Sequence, residues 1–174
     1  MAVANWAADA GSTYYTEASG TTYAGGQQGS ASDCYDENEA TYFLWSDAVQ
    51  GPALTAHILF EVTFDQPITV SRIKIVHAEV GAYGGASWSV EYYDGSWHEQ
   101  GSGTANPNGG PDAPITNDYT SLNLQNVTKV RYTGDGGNAG SPGPPTPPAV
   151  AGASCNELYV YGTAAAKSSY AIII

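Results

Sequence analysis

The chain has 174 residues, of which 17 are acidic and 5 are basic, and its formal net charge is −12 at pH 7. A surface of this sign repels DNA, RNA and anionic lipid, and no apolar run is long enough to span a bilayer, so nucleic-acid binding and membrane insertion are not expected. With 21 glycines, 10 prolines and 11% aromatic residues, the composition favours one domain of many short strands joined by turn-rich loops.

The first informative segment is the acidic turn of residues 34–43. It places Asp36, Asn38 and Thr41 within six residues. Oxygen-bearing side chains spaced this closely favour a hard cation such as calcium, which takes about six to eight oxygen ligands. The alternative is a turn in which these side chains only cap backbone groups.

Alternating apolar residues predict strands along the rest of the chain. In residues 57–64, one face carries Ile58, Phe60, Val62 and Phe64. The same period occurs in four further segments, residues 72–76, 88–93, 127–133 and 158–161. Three long linkers separate the strands, residues 13–32, 101–117 and 134–153. No segment carries a convincing helical stripe, so the pattern predicts an antiparallel β-sandwich with long end loops.

Two pairs of basic residues lie at i, i+2 spacing in these strands, Arg72 with Lys74 and Lys129 with Arg131. Residues two apart in a strand share a face. If the two strands are neighbours, the pairs would form a basic patch on an otherwise acidic surface. The alternative is ordinary solvated charge.

The closing strand opens with a lone carboxylate, Glu157, which could complete a cation site begun by Asp36 and so tie the two ends of the fold together. Two cysteines, Cys34 and Cys155, flank the two halves of this site. If the halves share one ion, a disulfide would close a loop of about 120 residues and contribute up to ~4–5 kcal/mol in the chain-entropy model. The alternative is two buried free thiols.

Four segments together resemble the discoidin domains, also called coagulation-factor type C domains, which include the family 32 carbohydrate-binding modules. Residues 34–43 resemble the signature Ala-Ile-Asp-Gly-Asn-x-x-Thr-x-Trp, with Asp36, Asn38 and Thr41 matching directly. Glu37 stands where the signature has Gly, the residue that tolerates positive φ. The other resembling segments are residues 68–77, 87–97 and 155–162, and the matches follow the family's order.

The resemblance implies an all-β, discoidin-like jelly roll. It also implies a structural calcium ion held by Asp36, Asn38, Thr41 and Glu157. Trp88 and Trp97 match core aromatic residues of the family.

The resemblance further places a glycan-binding site on loops at one end of the sandwich. There we expect Tyr23, His77, Glu79 and Tyr83 to face the ligand. The alternative for His77 is a strand-end residue bonded to backbone.

Catalysis is not expected. The three histidines have no metal-ligand spacing, and no nucleophile elbow or phosphate loop occurs in the sequence. The protein is therefore predicted to be a binding or structural protein and not an enzyme.

The chain divides into an N-terminal arm (residues 1–12), the sandwich domain (13–163) and a C-terminal tail (164–174). The tail ends in three isoleucines, and such an apolar terminus predicts docking on a neighbouring subunit, in a homo-oligomer or in a virion or filament. The first six residues lack the features of a signal peptide. Either a signal was removed and a Met supplied, or the protein is made in a cytoplasm, which we favour.

These observations predict a non-catalytic carbohydrate-binding sandwich displayed on a larger assembly, as a decoration or fibre protein of a phage or virus. Its location would be a virion or an extracellular surface assembly. The alternatives are a purely structural decoration or coat subunit that binds no sugar, and an accessory carbohydrate-binding module of a secreted glycosidase.

Overall fold

The structure is a computed structural model, and it describes residues 4–9, 11–15, 29–47, 57–80, 87–104, 114–134 and 151–165. Within these ranges the chain forms two short 3-10 helices, Trp6–Ala8 and Ala31–Cys34, and nine strands. The strands are β1 (Ala4–Asn5), β2 (Thr13–Tyr15), β3 (Phe43–Asp47), β4 (His57–Val80), β5 (Ser87–Tyr93), β6 (Trp97–Thr104), β7 (Ile115–Tyr119), β8 (Leu124–Gly134) and β9 (Ala151–Ala164). None of the helices in these ranges has the length and apolar character needed to cross a membrane.

The long strand β4 organises the sheet. The strand order is β1-β9-β4-β8-β5-β6, while β2 and β7 pair with β4 and β3 pairs with β9, all antiparallel. A straight strand of 24 residues would measure ~80 Å at about 3.3 Å per residue, far longer than a domain of this size. The strand therefore bends, and its pairing register shifts between Thr63 and Ile68, around Pro67, which has no amide hydrogen to donate.

The bend divides the sheet into two layers. Residues 57–63 of β4 pair mainly with β8 and β2, whereas residues 68–80 pair mainly with β9 and β7. Buried apolar side chains from both halves of β4 and from β5, β8 and β9 form one core. The predicted antiparallel β-sandwich is confirmed.

The predicted core face of β4 is right at three positions and wrong at one. Phe60, Val62 and Phe64 are buried, but Ile58 is only half-buried and Leu59 takes the core position instead. The register with β8 is irregular between Ile58 and Phe60. An extra residue in one strand reverses which side chains face inward, which explains the exchange.

Trp88 is buried as predicted, but Trp97 does not lie in the core. Trp97 pairs directly with Tyr93 across the β5–β6 hairpin, and opposite residues share a face. Val90 and Tyr92 point inward, so Tyr93 and Trp97 point outward. The guanidinium of Arg131 stacks 3.8 Å from the centre of the Trp97 indole ring.

The two pairs of basic residues do not form one patch, although β4 and β8 are neighbouring strands. Arg72 and Lys74 lie in the half of β4 that pairs with β9, whereas Lys129 and Arg131 pair with the other half. Each of the four cations also contacts a carboxylate, in the pairs Arg72–Asp118, Lys74–Glu39, Lys129–Glu61 and Arg131–Glu91. Their charges are therefore separated and locally neutralised.

The first and last described strands, β1 and β9, pair at one edge of the sheet. In the segment predicted as an N-terminal arm, Ala4 and Asn5 pair with Gly162 and Tyr161 of β9, and Ala7 is fully buried. The side chain of Asn5 accepts hydrogen bonds from the backbone amides of Ala7 and of Val160 in β9. Residues 166–174 of the predicted tail lie outside the described residues, and the predicted domain boundaries stay a prediction.

Candidate cation site and ligand-binding residues

The acidic turn follows the 3-10 helix Ala31–Cys34, whose start is fixed by a capping box. The backbone amide of Ser30 donates to Asp33 Oδ2 at 2.9 Å, and the Ser30 side chain accepts from the amide of Ser32. Capping of this kind satisfies amides that have no partner within the helix. Asp33 is therefore occupied at the start of the helix, and Asp36 is the first acid of the turn itself.

Oxygen atoms of Asp36, Asn38 and Thr41 converge within the turn. Asp36 Oδ1 accepts from the amide of Asn38 at 2.9 Å, and Thr41 Oγ1 lies 2.9 Å from Asp36 Oδ2, 3.1 Å from Asp36 Oδ1 and 2.7 Å from the carbonyl oxygen of Asn38. The carbonyl oxygen of Asn38 also accepts from the amide of Thr41 at 3.0 Å, so each of these oxygens lies within hydrogen-bond distance of a donor. Each keeps a second lone pair, which a cation can use.

The side chain of Asn38 behaves differently from the prediction for it as a ligand. Its Oδ1 accepts from the amide of Ala40 at 3.2 Å, which is the capping alternative. Only the carbonyl oxygen of Asn38 is directed to Thr41. Its proposed contribution to a cation is thus through the backbone.

Glu157 is fully buried in β9. Neither carboxylate oxygen receives a hydrogen bond of normal geometry from the part of the chain that the structure describes. Burial and, next, the nearby Asp36 carboxyl together raise the pKa of Glu157 to about 8, whereas the backbone amides of Asn38 and Glu37 oppose the shift. A buried carboxylate with only these weak contacts is costly, so this group is stabilised either by a proton or by a cation.

The turn and the closing strand therefore meet, as the sequence predicts. Asn156 Nδ2, next to Glu157, donates to the carbonyl oxygen of Glu39 in the turn at 3.2 Å. Among the described residues, no three His, Cys, Asp or Glu side chains gather in a metal-binding cluster. A cation here would use two carboxylates together with neutral oxygens, a donor set that suits calcium better than zinc.

Glu37 adopts the left-handed backbone conformation expected of the signature glycine. Its φ is 62°, a region that non-glycine residues rarely occupy because Cβ meets the backbone. Its Oε1 accepts from Asn5 Nδ2 at 3.3 Å in an exposed contact. The turn thus has a backbone conformation that a glycine would allow, at a conformational cost for Glu37.

Cys34 and Cys155 are both buried free thiols. Cys34 Sγ donates to the carbonyl oxygen of Cys155 at 3.7 Å. Burial, with the neighbouring Cys155 thiol as the next cause, raises the pKa of Cys34. The predicted disulfide is absent, and the alternative of two packed thiols describes the structure.

His77 lies in the core with no exposed surface. Its Nε2 accepts from the Asn117 amide at 2.8 Å, so the neutral ring carries its proton on Nδ1 and donates it to the Tyr132 hydroxyl at 2.9 Å. The Trp88 ring packs 4.7 Å away. A side chain in this position cannot touch a ligand, which corrects the expected ligand contact and also the expected bond to backbone.

The side chains of the other three predicted ligand contacts are not among those that the structure describes. Tyr23 and Tyr83 lie outside the described residues, and Glu79 is described only as a backbone position in β4 that pairs with Ala153. These three contacts stay predictions.

A Ser–His–Asp cluster occurs at the tip of the β5–β6 hairpin, but it is not arranged for catalysis. His98 Nε2 lies 2.9 Å from Asp94 Oδ1 and 3.0 Å from Ser96 Oγ. A catalytic histidine uses one ring nitrogen for the nucleophile and the other for the orienting acid. Here both partners share one nitrogen, in an exposed turn.

No family model and no curated protein matches the chain. Solved structures do. The family 32 carbohydrate-binding module of Clostridium perfringens NanJ, in complex with galactose, is 17% identical over 90% of this chain and 98% of its own, with a TM-score of 0.53. Chitosan-binding module 1 from a Paenibacillus sp. IK-5 chitosanase/glucanase is 22% identical over 91% of this chain and 99% of its own, with a TM-score of 0.50. The fold is that of a family 32 carbohydrate-binding module.

The resemblance of the sequence to discoidin domains and family 32 carbohydrate-binding modules is thus confirmed for the fold. A family 89 glycoside hydrolase of Clostridium perfringens is 16% identical, with a TM-score of 0.49. The match covers 91% of this chain and 14% of that enzyme chain.

We expect Glu37→Gly to stabilise the module by roughly 0.5–1 kcal/mol, because glycine relieves the left-handed strain and part of that gain is offset by its entropy in the unfolded chain. The measurement is the free energy of unfolding in urea. Glu37→Ala is the control, since it removes the Asn5 contact but keeps Cβ. A glycine variant no more stable than the alanine variant would contradict the strain argument.

We expect the stabilising contribution of His77 to fall as the pH is lowered from about 6.5 to about 4, because burial lowers the pKa of His77 to about 4 and the unfolded chain then binds a proton that the folded one does not. Glu157, whose pKa is raised to about 8, acts in the opposite sense below pH 8, so the contribution of His77 is isolated by substitution. The sign follows from the lowered folded-state pKa: the contribution is complete above pH 6.5 and vanishes below pH 4. The full effect is about 3 kcal/mol.

The measurement is urea unfolding of the wild type and of His77→Gln at pH 7, 6 and 5, in which the difference between their free energies of unfolding should move in favour of the variant as the pH falls. His98→Gln, at an exposed histidine, is the matched control and should keep the pH dependence of the wild type. An unchanged slope in His77→Gln would show that another group carries the effect.

Proposed function

We propose that this protein is a non-catalytic carbohydrate-binding module whose fold is stabilised by a calcium ion between the acidic turn and β9. The fold supports the first part, and the buried, unpartnered carboxylate of Glu157 beside Asp36 supports the second. The two parts are independent enough to be tested separately.

The neighbours favour a carbohydrate ligand without naming one. One is in complex with galactose and another is a chitosan-binding module. The formal charge of −12 and the pairing of four of the five cations with acids leave little to attract a polyanion. A neutral or cationic sugar is therefore the class of ligand that the surface suits.

Tyr23, Glu79 and Tyr83 remain the proposed sugar contacts, because an aromatic ring covers the apolar face of a sugar and a carboxylate accepts from its hydroxyls. His77 has a different proposed part. Through Asn117 of β7 and Tyr132 of β8 it fixes the end of β4 that leads to residues 78–86. It is a positioning residue in this proposal.

An accessory module of a glycoside hydrolase is a second candidate setting, and it is favoured by the origin of the chitosan-binding neighbour in a chitosanase/glucanase. Display on a virion or extracellular assembly through residues 164–174, or a purely structural subunit, stays a prediction from the sequence.

In the calcium proposal, Asp36 and Glu157 supply negative charge, and Thr41 and the carbonyl oxygen of Asn38 supply neutral oxygens. The ion would neutralise the buried carboxyl group of Glu157 and the exposed carboxyl group of Asp36 beside it. Its role is structural, and no chemistry on a substrate is assigned to it.

Calcium should raise the melting temperature of the wild-type protein above its value in a chelator, since only the folded state assembles the site. Glu157→Gln should abolish that difference, and in chelator it should be as stable as the wild type or more so, because a buried charge is gone. Glu99→Gln, at an exposed acid, should behave as wild type. A Glu157→Gln protein that still gains stability from calcium would refute the assignment.

The wild-type protein, saturated with calcium, should bind at least one neutral or amino sugar on a glycan array that includes galactosides and chitosan oligomers. Tyr23→Ala and Tyr83→Ala should each weaken binding about tenfold or more, given ~1–3 kcal/mol for a buried aromatic contact. Tyr15→Ala, at a tyrosine that is 52% exposed on β2, is the matched control. No binding to any sugar would leave the structural subunit as the better account.

A further inference from the structure

Glu39 is the acid of the turn that contacts both β4 and β9. Its Oε1 contacts Lys74 Nζ of β4 and accepts from the Tyr159 hydroxyl of β9 at 3.3 Å. Its carbonyl oxygen accepts from Asn156 Nδ2 at 3.2 Å. One residue thus connects the turn to two central strands.

Lys74 and Tyr159 are held in register beneath Glu39. They are directly paired across β4 and β9, and the Lys74 ammonium lies 4.8 Å from the centre of the Tyr159 ring. The Lys74 side chain is only 20% exposed, against 45% for Glu39. Partial removal from water strengthens both the ion pair and the cation–π contact relative to an open surface pair.

The acids of the turn are divided between external partners and the interior. Asp33 accepts from Ser30, Glu37 from Asn5, and Glu39 from Lys74 and Tyr159. Asp36 accepts from the amide of Asn38 and from the Thr41 hydroxyl within the turn, and its carboxyl group is close to Glu157. Glu39 thus ties the turn to β4 and β9.

We propose that Lys74, Glu39 and Tyr159 form a latch that holds the acidic turn against β9 and so sets its affinity for calcium. The proposal rests on the calcium site proposed above. Without the ion, contacts between the turn and the strands keep the ligand oxygens near Glu157, and the latch supplies two of these contacts. A site held in its bound arrangement loses less free energy to ordering when the ion arrives.

The chain provides a matched control two residues earlier on the same face of β4. Arg72 makes two hydrogen bonds of 2.8 Å to Asp118 of β7 and lies 5.2 Å from the centre of the Tyr161 ring. This arrangement also combines an ion pair with a cation–π contact, but its partners lie on β7 and β9 and not on the turn. Substitution of Arg72 should therefore affect general stability without affecting the ion.

The experiment is calcium titration by calorimetry of the full chain, well below its melting temperature. Lys74→Met and Glu39→Gln should each weaken calcium binding, raising the dissociation constant about three- to tenfold. Arg72→Met should leave it within about twofold of wild type, and Lys74→Arg should restore most of the affinity.

A second readout needs no calcium. Hydrogen exchange of the backbone amides of residues 36–41, measured in the presence of a chelator, should be faster in Lys74→Met than in Arg72→Met. The reason is that loss of the latch lets the turn open locally more often. This distinguishes a latch from a general loss of stability.

The outcomes are separable. Wild-type protein that binds no calcium refutes the proposed ion and the latch's part in affinity. Wild-type protein that binds calcium, with Lys74→Met unchanged in affinity or Arg72→Met weakened equally, refutes the latch and leaves the ion in place.

Discussion

The contact between the acidic turn and β9 is the constraint on which the rest of the structure depends. Glu157 lies in the middle of a strand that pairs with β1, β3 and β4, so its carboxyl group cannot move to solvent without disturbing the centre of the sheet. Asp36 comes to it from a turn that is more than a hundred residues earlier in the chain. The fold can keep two such groups together only if something compensates their charge.

Apolar contacts with several elements also hold the turn in place. Tyr35, at the start of the turn, stacks on Tyr14 of β2 with ring centres 3.9 Å apart, and both rings pack on Phe60 of β4. Apolar contacts of Tyr35 and polar contacts of Glu39 thus both hold the turn in place. Local strain at Glu37 is tolerated because these neighbours determine the path of the chain.

Much of the fold and the meeting of the acidic turn with β9 could be predicted from the sequence, because period-2 patterns and closely spaced oxygen side chains are local signals. Phe60, Val62 and Phe64 were found in this way, as were Asp36 and Glu157. Ile58 was misplaced because a bulge depends on the partner strand. Trp97 was misplaced because the face of a hairpin residue depends on its cross-strand neighbour.

His77 shows a different limit. Its position at the end of a strand was predicted, but its environment depends on Asn117 and Tyr132, which are distant in sequence. Neither carries a signal: Asn117 is the last residue of a predicted linker, and Tyr132 is one of 13 tyrosines. The Lys74–Glu39 contact was likewise invisible, since nothing in the sequence pairs a strand lysine with a particular acid of a turn.

The pairing of Ala4 with Gly162 brings the entry and exit of the domain to adjacent strands at one edge. Both ends of the folded unit therefore leave from nearly the same point, as is common in domains that tolerate insertion into other chains. Such a unit can be inserted into a loop of another protein, or repeated in tandem, without disturbing the fold of that protein. Its free surfaces would then project away from the junction.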